Sequence, residues 1–318
     1  MSRLSLPPYL QKRSDRASMG IVVANVAVAF APVYLAATLG PGWSFAPLWL
    51  WFGLSVNGLL NLMHEAAHSL VFRTRRGSEI LGRWVLGPLV LADFDGYRDR
   101  HWEHHKHLGE EGDTKDAYLI SIHGSGLLFL FARCLILIEA GRKMAHQLRT
   151  KTPAAGPPIK TSHALARAVL VQTLFGMSLL AVAWAAHRNL ASALLSAVAA
   201  YGLVYAYGLG SLATFAATMR AVAEHQIGDD GSTKQGRAAL RNFNAGPISR
   251  FLLGAYGFAE HATHHHEPAI PYYRLPAATR VLMKSVPGLT PRATYLGILR
   301  QLSRRNDTRR PRPRAVAV

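Results

Sequence analysis

The sequence predicts an all-α integral membrane protein in which four transmembrane helices form two hairpins, with a cytosolic helical cap attached to one face. Three observations predict it. Half of the 318 residues are apolar, and they gather in long uncharged runs instead of the spacing of a soluble amphipathic helix. The runs come in pairs joined by very short connections. Lys and Arg lie almost wholly on one side of them.

A hydrocarbon core of about 30 Å takes roughly 20 helical residues, and four runs are that long: about 19–40, 44–63, 164–186 and 190–218. The first follows Arg3, Lys12, Arg13 and Arg16 with no short apolar stretch leading to a cleavage pattern, so it is expected to be a retained span. GPGW joins the first run to the second and HRN the third to the fourth, so each pair is expected to be a helical hairpin. None of the runs contains an acid, and Arg167 stands only at the start of the third. Of the basic residues outside the runs, Arg188 alone falls on the far side. The positive-inside rule therefore places both termini and the long central segment in the cytoplasm of a multi-pass protein, in the inner membrane if the cell is bacterial.

The central segment, about 64–163, is too long for a simple loop and is expected to cap the membrane. It holds two weaker apolar stretches, near 80–94 and 127–138. Arg133 interrupts the second, which is too short to span and is expected to lie in the interface. Residues 149–162 mix Pro, Gly and basic side chains without periodicity, as a linker does. After a second cytosolic segment, 219–302, the basic tail 303–318 has almost nothing to bury and is expected to be disordered. One membrane-embedded domain thus covers 1–302.

The net charge of +18 has anionic lipid as its partner rather than nucleic acid, because the basic residues flank the apolar runs. Cys134 is the single cysteine, which excludes an internal disulfide and a cysteine-rich metal site. A metal, if bound, must be held by histidine.

The histidines are spaced for that task. His64 and His68 form H-x-x-x-H just past the second run; His101, His104 and His105 form H-x-x-H-H, and His261, His264 and His265 repeat it. Positions i, i+3 and i+4 share a helix face, so each set aims its imidazoles at one place. With 15 histidines in 318 residues, chance supplies an H-x-x-H-H on the order of 0.03 times. Imidazole suits iron, zinc, copper and nickel, and eight ligands exceed what one tetrahedral ion takes, so two metal ions are implied. His225 follows the fourth run by about two helical turns. The second and fourth runs point the same way, so His225 is a candidate ninth ligand. Glu65, Glu103, Glu224 and Glu260 each adjoin a candidate ligand in sequence and are candidates to orient an imidazole of another motif. His107, His123, His146, His163 and His187 fit no motif, and His266 permits a shifted register.

HEAAHS, HWEHHKHLG and HATHHHEPAIPYYRLP resemble the three histidine boxes of the membrane fatty acid desaturase and hydroxylase superfamily, most closely its bacterial-type fatty acid desaturases. The resemblance covers about 45–285. It implies a di-iron enzyme, with two iron ions as cofactor and O2 as co-substrate, whose ligands correspond to His64, His68, His101, His104, His105, His261, His264 and His265. His225 matches an extra histidine of the acyl desaturases. Ala221 replaces the asparagine found there four residues earlier, and His266 and Glu267 depart from the family pattern before Pro268.

The resemblance further implies oxygen-dependent attack on an unactivated C–H bond of a lipid or acyl-thioester substrate, with desaturation favoured over hydroxylation. No fused cytochrome b5 or flavin domain fits this length, so a separate electron donor is expected, of the ferredoxin or cytochrome b5 type with its reductase. Arg98, Arg100 and Lys106 stand where a carboxylate, phosphate or coenzyme A head group would meet them, or water. A lipid hydroxylase or a carotenoid ketolase or hydroxylase would use the same boxes. A metal transporter would place polar groups inside the spans, which offer little beyond Asn25, Asn57 and Gln172.

Overall fold

The structure, a computed structural model, describes residues 6–110, 113–114, 126–149, 161–226 and 239–304. Among these residues it is helical, with two isolated bridges and no strand. Most of the linker, the tail from 305 onward and His123 lie outside the described residues.

Four helices are long and apolar enough to cross a membrane: α1 (Asp15–Leu39), α2 (Phe45–Ala67), α7 (Thr161–His187) and α8 (Leu190–Glu224). Two of them run further than the apolar runs predict. Helix α2 continues past residue 63 and carries His64 within it, because Glu65, Ala66 and Ala67 are all tolerated in a helix and all become buried. Helix α8 has 35 residues instead of ending at 218, so His225 caps the helix directly. It contains wider π-helical turns at Ala200–Ala206 and Leu209–Ala213. Ser14 caps α1 through the Ala17 N–H, and Asn189 caps α8 through the Ser192 N–H.

One ring from each of these four helices meets at a common node. Phe30 of α1 lies 5.9 Å from Phe52 of α2 and 5.2 Å from Phe175 of α7, and Tyr205 of α8 lies 5.6 Å from Phe52 and 5.1 Å from Phe175, mostly edge to face. Between apolar helices in lipid, such packing and the polar contacts beside it replace the hydrophobic effect as the adhesive. Gln172 supplies the polar contacts: its amide donates to the Pro88 carbonyl and to the Tyr205 hydroxyl, while the Tyr201 hydroxyl donates to it. Gly53 lets α2 approach α8, since a Cβ there would lie 2.3 Å from that of Leu212.

The span asparagines serve a further purpose. Asn57 and Asn61 donate to the carbonyls of Leu252 and Ala255, and Asn25 hydrogen-bonds the Tyr256 hydroxyl. Together they strap segment 252–256 to α1 and α2. Gly257 follows at φ +82, and the chain turns there into the third histidine motif.

The segment after α2 forms α3 (Arg75–Leu81), a π turn and a short helical piece, Gly87–Leu89, and then α4 (Phe94–Lys106). The stretch 127–138 becomes α5 (Leu127–Leu135) and the start of α6 (Ile138–Arg149). Arg133 is buried there and ion-paired to Glu139. Beyond α8 come α9 (Pro247–Leu252), α10 (His261–His266), α11 (Leu275–Leu282) and α12 (Tyr295–Arg304).

Candidate metal centre

Each histidine motif is aimed by its own local structure. His64 and His68 lie one turn apart at the C-terminal end of α2, and Ser69, at φ 60, turns the chain away immediately after them. Asp93 caps α4 by accepting the Asp95 and Gly96 N–H groups, which fixes the helix that displays His101, His104 and His105. The third motif occupies α10, and its approach is pinned from two sides. Arg241 N–H donates to the Glu224 carbonyl, and Ala262 N–H donates to the Arg241 carbonyl. The residues following the motif are held too, since Tyr272 N–H donates to the buried Glu65 carboxylate.

The result brings all nine candidate histidines together. In one group, the ligand atoms of His64, His68, His101 and His264 lie within 4.8 Å of one another, all four residues buried. In a second, so do those of His104, His225 and His265; Glu224, His225 and His261 form an overlapping third. His105 bridges the groups. Its Nε2 is 3.0 Å from His101 Nε2, and its ring stacks on His265 with centroids 3.9 Å apart.

The contacts within the first group cannot be an ordinary hydrogen-bond network. The Nε2 atoms of His64, His264, His68, His101 and His105 follow one another at 2.9, 3.1, 2.7 and 3.0 Å. Each imidazole nitrogen carries a single in-plane N–H or a single lone pair, yet the Nε2 atoms of His264, His68 and His101 each meet two others, so well-formed hydrogen bonds cannot fill all four contacts. Convergent lone pairs of this kind are what a cation satisfies. His265 Nε2 is likewise buried with no hydrogen-bond partner. Burial foremost, then the neighbouring imidazoles of His105, His261, His104 and His264, hold His265 well below the ordinary imidazole pKa, in the neutral form a metal needs. The donor set therefore fits two adjacent transition-metal ions.

The orienting partners differ from the sequence expectation. His104 Nδ1 donates to Asp113 Oδ1 at 2.7 Å, and Asp113 is buried and held by the Gly109 N–H. No spacing rule singles out an aspartate nine residues after His104; its proximity comes from the turn that ends α4. His225 Nδ1 donates to the Ala221 carbonyl at 2.8 Å, so the backbone at position 221 orients this ring. Of the four glutamates, Glu224 Oε2 stands 3.7 Å from His261 Nε2. Glu65 takes the Tyr272 N–H, Glu260 is paired with both terminal nitrogens of Arg250, and Glu103 faces Lys106 and His107 on its own helix.

The remaining histidines lie apart from the groups. His266 faces Glu267, His107 faces Glu103 and Glu110, His146 meets the Thr114 carbonyl, and His187 meets the Ala37 carbonyl; His163 is exposed. Arg98 is engaged by Glu79, Asp95 and Asp99, and Lys106 by Glu103.

Residues 6–295 match the family model of fatty acid desaturases, and the chain belongs to that family. Over 60 residues it is 33% identical to beta-carotene 4-ketolase 3 and to a beta-carotene ketolase, both of Haematococcus lacustris. Each match covers 19% of this chain and 19% of the relative, so the chain spans only about a fifth of the length of these curated relatives.

Proposed function

We propose that this member of the fatty acid desaturase family is an oxygen-dependent di-iron lipid desaturase, inserting a double bond into an acyl chain with electrons from a separate donor of the ferredoxin or cytochrome b5 type. The observation that carries the reading is the convergence of nine imidazoles, from four separate segments, at the ends of two long apolar helices. His64, His68, His101, His105 and His264 would hold one iron, and His104, His225, His261 and His265 the other. When bound, the iron pair would supply the oxygen activation needed to remove two hydrogens from adjacent unactivated carbons, with O2, those two hydrogens, two electrons from the donor and two protons ending as two waters.

The protein's own residues prepare that chemistry. Asp113 and the Ala221 carbonyl hold the Nδ1 protons of His104 and His225, which leaves their Nε2 lone pairs facing inward. The Phe258 ring stacks on His261 and meets His64 edge-on, with the Arg220 guanidinium 3.8 Å from the ring centroid.

The charge asymmetry supports two hairpins with termini and site on the cytosolic face. Leu128, Phe129 and Ile136 are exposed on and beside α5, at 83%, 60% and 67%, which supports that helix lying in the interface.

A second reading is a carotenoid ketolase, favoured by the two beta-carotene ketolases among its relatives. Expression in membranes with an electron donor, with and without β-carotene, separates the two by mass spectrometry of the lipids. A desaturase yields acyl chains lacking two hydrogens, and a ketolase yields oxygenated carotenoid. His104→Ala and His264→Ala are expected to abolish either product; unchanged products in both would overturn the site.

A further inference from the structure

We infer that Glu224 is a direct carboxylate ligand of the second metal ion, a tenth donor beside the nine histidines. The inference rests on the di-iron reading and assigns one of its ions a mixed nitrogen and oxygen shell.

Geometry separates this role from a hydrogen bond. Glu224 Oε2 lies 3.7 Å from His261 Nε2, beyond the roughly 2.7–3.2 Å of an N–H···O bond. Two donors each about 2.1 Å from one ion stand about 3 Å apart at a right angle and about 3.6 Å apart at 120°. The Glu224, His225 and His261 donor atoms meet within 4.8 Å, and all three residues are buried. The spacing is that of ligands around an ion.

The other candidate glutamates do not share the arrangement. Glu260 spends both oxygens on Arg250, Glu65 receives a backbone N–H, and Glu103 pairs with Lys106. Glu224 instead directs Oε1 toward Arg220 Nε at 3.4 Å and Oε2 toward the imidazoles. Arg220 is itself fixed by Asn61 and Phe258, so the carboxylate is held from behind. Ala221, one helical turn before His225, offers no side-chain donor, whereas Glu224, beside that ring, does.

The test loads wild-type protein and Glu224→Gln with ferrous iron in detergent and measures iron content, Mössbauer spectra and the carboxylate infrared bands. Wild type is expected to hold about two irons and Glu224→Gln about one, with one quadrupole doublet lost. A metal-induced shift of a carboxylate band is expected in wild type and not in the variant. Two irons with wild-type spectra in Glu224→Gln would overturn the inference alone, leaving Glu224 as the ion-pair partner of Arg220. Wild type that binds no iron would overturn the di-iron reading and the inference with it. Should the variant not fold, the wild-type infrared difference decides: no shifted carboxylate band on loading overturns the inference.

Discussion

His104 and Asp113 form a buried imidazole–carboxylate pair, Nδ1 to Oδ1 at 2.7 Å. The aspartate fixes the tautomer and increases the basicity of a ring whose other nitrogen lies 3.2 Å from His225 Nε2. Asp113→Asn keeps the shape and removes the charge. Its iron affinity is expected to fall roughly 10–100-fold, measured by chelator competition; an unchanged affinity would remove Asp113 from the site.

His225→Ala and His187→Ala form a matched pair. His225 belongs to the second histidine group, whereas His187 meets only the Ala37 carbonyl near the far end of α7. The first variant is expected to lose iron and activity, and the second to keep both, in metal analysis of purified protein. Loss in both, or in neither, would contradict the assignment of His225.

The histidine-rich centre makes metal-free protein sensitive to acid. The folded-state pKa of His265 lies well below its ordinary value of 6.5. Below that value the unfolded chain takes up a proton that the folded site refuses, so stability is present above pH 6.5 and is lost as pH falls toward the folded pKa. The slope is about 1.4 kcal/mol per pH unit for each such proton. Thermal melting of metal-free protein is expected to be lower at pH 5.5 than at pH 7.5; a flat or inverted profile would refute this.

Gly257 is expected to resist substitution. It adopts φ +82, and a Cβ would lie 2.4 Å from Leu275 Cδ1. Gly257→Ala should cost about 1–2 kcal/mol from the left-handed backbone alone, with the clash added, and should lower the melting temperature. An unaltered melting curve would show that the turn before α10 relaxes freely.

The apolar runs and the i, i+3, i+4 spacing made the four long apolar helices and the clustering of the eight box histidines legible, because both signals are local periodicities. Where the helices end was not local. Helix α2 runs on through His64, and α8 reaches Glu224, because buried packing at their C-terminal ends outweighs the drop in hydrophobicity. The glutamates show the same boundary of inference. Sequence adjacency treats Glu103 and Glu224 alike, yet one turns to Lys106 and the other to His261. Which way each side chain points depends on what the next helix presents, and Asp113 became visible only once the turn after α4 was known.

The first histidine group joins residues up to 200 positions apart, His64 to His264. The asparagine strap from α1 and α2 likewise waits for segment 252–256. During synthesis, therefore, the strap cannot be complete before Tyr256 is made, nor the first histidine group before His264. On the proposed reading, metal loading would come late in synthesis, and a chain arrested before His264 would display its early histidines with nothing to complete them.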